Sequence, residues 1–150
     1  MIVFDASTLI LIAKAELLDS FLTDIELEAA IPMEVKKECG GVKKSLDALL
    51  IQKALDESRL NVIAVKNRKL VLKLQGDFSL GKGEAETIVL ALTEKAEVLG
   101  IDDKNGINAC KLLGIAFTTA IGILVEAARR VCLRVARPWP NLRHWQNMAL

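Results

Sequence analysis

The chain has 150 residues, 52% of them hydrophobic, with a mean hydropathy of +0.34. That length suits one domain with a sizeable core. No uninterrupted apolar run reaches the ~18 residues that a membrane-spanning helix needs, and the opening MIVFDAS lacks the positive region of a signal peptide; a soluble, cytoplasmic protein without membrane association is expected.

The net charge of +1 is unevenly placed. Residues 1–128 hold 13 Lys and 2 Arg against all 19 acids, a net −4, and residues 129–150 hold five Arg and no acid, a net +5. The same tail carries the only His, both Trp and two of the three Pro. Cys39, Cys110 and Cys132 are odd in number and widely spaced, so neither a disulfide framework nor a zinc site is expected. They read as small buried hydrophobes.

In chain order, Met1 to Asp5 is a short apolar run ending in an acid, which predicts a buried parallel strand with Asp5 at its carboxyl end. Ser7 or Thr8 can cap a helix over about 8–20, which carries Leu9, Ile12, Ala13, Leu17 and Leu18 on one side. A second strand, 29–31, ends at Pro32. The helix 33–39 that follows is stopped by Gly40-Gly41, and places Glu34 and Glu38 on one face. A helix over 43–59, a strand over 60–65 and a basic helix over 66–75 with Lys66, Arg68, Lys69 and Lys73 come next. Residues 76–83 read as a loop.

The stretch from Gly81 to Asp103 stands apart. A glycine-punctuated turn delivers Glu84 and Glu86 to the start of a helix that runs to about Lys95. A short strand, 97–101, then ends on the adjacent Asp102 and Asp103. Helix 104–113 stops at Gly114, and strand 115–118 and helix 121–131 complete the pattern. Alternating strands and helices predict an α/β fold: three layers, α/β/α, with a mostly parallel central sheet.

In such sheets ligands bind outside the carboxyl ends of the strands. Asp5, Glu38, Glu84 and Asp102, with Asp103 beside the last, are acids from four places that this topology can bring to one rim. Glu84 is preferred to Glu86 because it stacks with Ile88 and Leu92 on the expected core side of the helix. Carboxylates without His or Cys partners suit hard cations, Mg2+ or Mn2+. Such an ion activates water and neutralises charge in phosphodiester chemistry. Lys82 and Lys104 flank the acids and can touch phosphates, and the basic helix at 66–73 can add backbone contacts.

The pieces IVFDAST (2–8), IPMEVKKE (31–38), LGKGEAETIVLAL (80–92), IDDKNGINACKLLGI (101–115) and TAIGILVEA (119–127), in this order, resemble PIN-domain ribonucleases, in particular the branch with a Gly-Glu-x-Glu helix start and an Asp-Asp strand end. The resemblance covers roughly 1–128, taken as the nuclease domain, with 129–150 an atypical basic tail rather than a second domain. It implies an endoribonuclease that cleaves single-stranded RNA with Mg2+ or Mn2+, with Asp5, Glu38, Glu84 and Asp102 catalytic. Asp5, Glu84, Asp102 and Asp103 would be metal ligands, and Ser7, Lys82, Lys104 and Thr118 (or Thr119) would lie near metal or substrate. It also implies a toxin of a toxin–antitoxin pair, a homodimer silenced by a small antitoxin protein.

Two departures stand against it. The branch usually places an arginine two or three residues after Asp-Asp-Lys, where this chain has Gly106 and Ile107. The tail, with Pro138 and Pro140 around Trp139, cannot continue one helix. They motivate the alternative, a PIN-like module that binds RNA or protein without cleaving. A phosphoacceptor signalling domain, which pairs its acids after the first strand, fits worse.

Overall fold

The computed structural model describes residues 1–40 and 45–130 in full and the backbone of 131–133. Gly41, Lys43, the Cys132 side chain and the tail from 134 onward lie outside the described residues, so the expectations that fell on them are not addressed.

Five strands form one sheet: β1 (Ile2–Phe4), β2 (Ala29–Pro32), β3 (Leu60–Ile63), β4 (Val98–Gly100) and β5 (Phe117–Thr118), in the order β3-β2-β1-β4-β5. Every pairing is parallel. The helices are α1 (Ala6–Lys14), α2 (Leu18–Asp24), α3 (Met33–Cys39), α4 (Leu46–Asp56), α5 (Arg68–Phe78), α6 (Lys82–Thr93), α7 (Lys104–Leu113) and α8 (Ala120–Leu133). The α/β fold expected from the sequence is the one observed.

The period of two in a strand sends alternate residues to opposite faces. Ile2 and Phe4 join one core with α1, α2, α4 and α8, while Val3 joins the other with α5, α6 and α7. Phe4 meets Phe21 edge to face, ring centroids 5.9 Å apart. On the adjacent strand a Cβ at Gly100 would lie 2.6 Å from the Phe4 ring, so this strand position has room only for glycine. β1 leads by its crossovers to β2 on one side and is flanked by β4 on the other. The topological switch point therefore lies between β1 and β4, the strands that end at Asp5 and just before Asp102.

Several local expectations need correction. The helix expected over 8–20 is two helices. Glu16 takes a left-handed φ of 57°, and the Leu17 N–H closes back on the Ile12 carbonyl. This is the six-to-one closure of a helix end, and it lets Leu18, Phe21 and Leu22 turn into the core. Ser7 and Thr8 do not cap α1: Asp5 does, accepting from the Ser7 N–H. Residues 76–78 are the last turn of α5 rather than a loop, and Ser79, at φ 54°, ends it. The helix expected over 43–59 is ordered as α4 over 46–56, among the described residues.

Candidate active site

At the carboxyl rim above the switch point lies a cavity of about 360 Å³, lined by Asp5, Ala6, Ser7, Glu38, Gly81, Gly83, Glu84, Asp102 and Asp103. All five acids singled out in the sequence stand on its wall. Their elements place them there for separate local reasons. Asp5 and Asp102 follow strands flanking the switch point, Glu38 lies in the last turn of α3, and Glu84 lies in the first turn of α6.

Most of these acids also serve a helix start. Asp5, only 3% exposed, accepts from the Ser7 N–H at 3.3 Å and from the Ser7 hydroxyl at 2.5 Å. Glu84 accepts from the Gly81 N–H at 2.8 Å, half of a capping box whose other half glycine has no side chain to make. Asp103 accepts from the Gly106 N–H at 2.9 Å and caps α7. Asp102 accepts from the N–H of Ala120, the first residue of α8, at 3.0 Å, and from the Thr8 hydroxyl at 2.6 Å. The amino ends of α1, α6, α7 and α8 thus face the cavity, and their dipoles offset part of the repulsion among its carboxylates.

The offset is incomplete. Burial raises Asp5 above the usual carboxylate range, against its hydrogen bonds from Ser7 and Ala6, and the charge of Asp102 raises it further. Glu84 is raised by burial and then by Asp103 and Asp5, against its bond from Gly81. Glu38 is exposed as a residue, yet its carboxylate rests on Gly83, where an added Cβ would lie 2.4 Å from Oε1. That local desolvation raises it first, followed by Asp5, Glu34, Glu84 and Glu86.

An all-oxygen donor set with unrelieved negative charge fits a hard divalent cation. Neighbouring Cys39 does not add to it, because burial pushes its thiol up to about 12 and keeps it from the thiolate form that ligates. Among the described residues, no three acidic, His or Cys side chains are arranged to hold an ion as they stand. Asp5, Glu84, Asp102 and Asp103 are turned to helix amides and hydroxyls.

The other expected residues are placed as follows. Ser7 lines the cavity. The Lys82 ammonium is 2.7 Å from Glu34 on the rim, outside the lining. Lys104 opens α7, exposed, next to Asp103. Thr118 is buried at the end of β5 and its hydroxyl donates to the Thr119 carbonyl at 3.5 Å. Neither residue is on the cavity wall.

The helical-phase argument for Glu84 fails. Leu92 is 38% exposed, whereas Glu86 is 2% exposed, because α6 runs between neighbours and is buried almost all round. Phase cannot select a face on such a helix. Glu84 reaches the cavity through its place in the first turn. Sequence reasoning missed Thr8, Gly83 and the Arg68–Glu86 pair. Only Gly83 left a signal, as the second glycine of Gly-Lys-Gly.

Comparison with curated proteins and with solved structures gave no match. The sequence model of the DUF3368 family, described as a PIN domain, matches residues 1–141, beyond the 128 at which the motif resemblance stops. With every described residue inside that match, a parallel sheet of PIN type and an acid-lined cavity at its switch point, the chain belongs to the PIN-domain family.

Proposed function

We propose that the protein is a metal-dependent endoribonuclease that cleaves single-stranded RNA. PIN domains are generally nucleases. The observation that carries the finer reading is the convergence of Asp5, Glu38, Glu84, Asp102 and Asp103 on one cavity, with Asp5, Glu38 and Glu84 raised by burial and then by neighbouring carboxylates.

In this reading Asp5, Glu84 and Asp102 hold Mg2+ or Mn2+, with Asp103 beside them. Such an ion, when bound, would supply a lowered pKa for water and a counter-charge for the attacked phosphate. Glu38, seated on Gly83 at the cavity wall, accepts the proton of the attacking water. Ser7 orients Asp5 through its hydroxyl. Lys82 and Lys104, on the two flanks, contact substrate phosphates, and Thr118 supports the rim from the end of β5. The toxin role, the small antitoxin protein and the homodimer belong to the same proposal and rest on the motif resemblance.

Cleavage of a labelled single-stranded RNA is expected with Mg2+ or Mn2+, to be abolished by EDTA, and to fall at least a hundredfold in Asp5→Asn and Asp102→Asn, as removal of acid–base or metal-holding groups does. Unchanged cleavage in both variants would sink the assignment. The second reading, a module that binds without cleaving, is favoured by one observation: most cavity acids are already satisfied by protein donors. It requires that Mg2+ and Mn2+ leave the melting temperature unchanged. A rise reversed by EDTA excludes it.

A further inference from the structure

Away from the cavity, the Arg68–Glu86 ion pair joins a buried carboxylate to an exposed cation. Glu86 of α6 is 2% exposed and is held by Nη1 of Arg68, whose side chain is 64% exposed. The other Glu86 oxygen accepts from the Glu34 N–H at the start of α3, at 3.4 Å. Glu34 in turn holds the ammonium groups of Lys82 at 2.7 Å and Lys37 at 3.2 Å. Arg68 is thus two hydrogen bonds from the first turn of α3, and α3 ends one turn later with Glu38 on the cavity wall.

Topology extends this arrangement. β2 leads straight into α3, and β3, at the sheet edge, leads through 64–67 into Arg68. In a parallel sheet both junctions lie on the carboxyl rim that carries the cavity. Lys66 and Lys69, exposed, flank Arg68 there. The rim on the β2–β3 side therefore carries a lane of cations running away from a pocket of anions. Arg68 is the ordered member of the lane. A guanidinium has five donors in a fixed fork, and one nitrogen is engaged by Glu86. Among the described residues its remaining donors have no hydrogen-bond partner, and the head is half turned to solvent. A cation held by a buried anion loses little further freedom when it meets a phosphate.

We propose that single-stranded RNA enters or leaves the cavity over the amino ends of α3 and α5, with Arg68 a fixed phosphate contact and Lys66 and Lys69 flanking it. This rests on the RNA reading above and adds the path and its residues. The lane lies on the β3 side of the switch point, across the cavity from the Lys104 flank.

The test is binding of a fluorescein-labelled, mixed-sequence single-stranded RNA to the full chain in EDTA, read by anisotropy across a salt series. Arg68→Gln should weaken binding severalfold and reduce the slope of log K against log salt by about 0.7, the value of one phosphate contact on a single strand. Arg68→Gln also strips the partner from buried Glu86, so Lys66→Gln/Lys69→Gln is the second variant. It leaves that pair intact and should reduce the slope by about 1.4. The charge-matched control is Lys14→Gln/Lys111→Gln, at the far ends of α1 and α7, which should keep the slope of the unaltered chain. If the lane variants bind as the unaltered chain does, or if the control falls equally, the path is overturned while the RNA reading stands. If the unaltered chain binds no RNA, the path is overturned, and cleavage with Mg2+ or Mn2+ decides the RNA reading separately.

Discussion

The Thr8 hydroxyl donates to Asp102 Oδ2 at 2.6 Å, joining residues 94 positions apart. It ties the first turn of α1 to the end of β4 across the switch point. Thr8 is fully buried, so its bond to a carboxylate has little competition from water. Thr8→Val keeps the shape and removes the donor. It should cost about 2 kcal/mol of stability, the order expected for a bond to a charged acceptor, while Thr8→Ser restores most of it. Denaturant unfolding checks this, and unfolding midpoints that agree among all three proteins would show the bond to be idle.

Gly83 allows stability and site geometry to be separated. The atoms nearest an alanine Cβ there all belong to Glu38, at 2.4 Å for Oε1 and 2.9 Å for Cδ. Glu38 is the free end of a flexible side chain and can swing away. Alanine is also favoured over glycine inside a helix by about 1 kcal/mol. Gly83→Ala should therefore melt no lower than the unaltered chain, yet cleave RNA as poorly as Glu38→Gln. A variant that melts normally and cleaves normally would remove Glu38 from the mechanism.

These two residues show where sequence reading stops. The α/β alternation and the acids at Asp5 and Asp102 were legible because strand ends in a parallel sheet are fixed by local pattern. Glu38 and Glu84 were legible as acids a turn or two after strand two and at the start of the helix that precedes strand four. Thr8 was not, since its partner lies on a strand distant in sequence and its own position reads as ordinary helix. Glu86 was misjudged because α6 lacks a solvent face, which removes the periodicity on which such an inference depends. The break at Glu16 is a left-handed turn on a residue with no special tendency to form one, so composition could not announce it.

The raised cavity acids set the pH dependence of the metal-free protein. Asp5, from an ordinary value of 3.8, and Glu38 and Glu84, from 4.5, all bind protons more tightly when folded. Their stabilising contribution is complete below those ordinary values and is lost as pH rises through the raised ones. On the surface the direction reverses. Arg59 lowers Asp19, and Lys82 and Lys37 lower Glu34, so their contribution holds above the ordinary values and fades only in stronger acid. Melting temperature in EDTA should therefore rise as pH falls from neutral toward about 5, and decline in stronger acid. Saturating Mg2+ should flatten the rise by supplying the missing counter-charge. A melting temperature that falls steadily below pH 7 in EDTA would refute the repulsion on which this rests.

Asp5→Asn brings that repulsion to a single residue. Asp5 is buried, is raised further by the charge of Asp102, and caps α1. Asparagine caps a helix about as well as aspartate, and its side-chain oxygen can still accept from Ser7. The substitution thus removes a buried charge and keeps the local hydrogen bonds. Metal-free Asp5→Asn should be more stable than the unaltered chain by about 1 kcal/mol, as functional-site substitutions often are, or roughly 2–4 °C in melting temperature. The same variant should lose both RNA cleavage and the rise in melting temperature caused by Mn2+. Differential scanning calorimetry with and without Mn2+ reads both stability effects. A variant that melts lower than the unaltered chain, and still gains stability from Mn2+, would make Asp5 a residue of the fold rather than of the site.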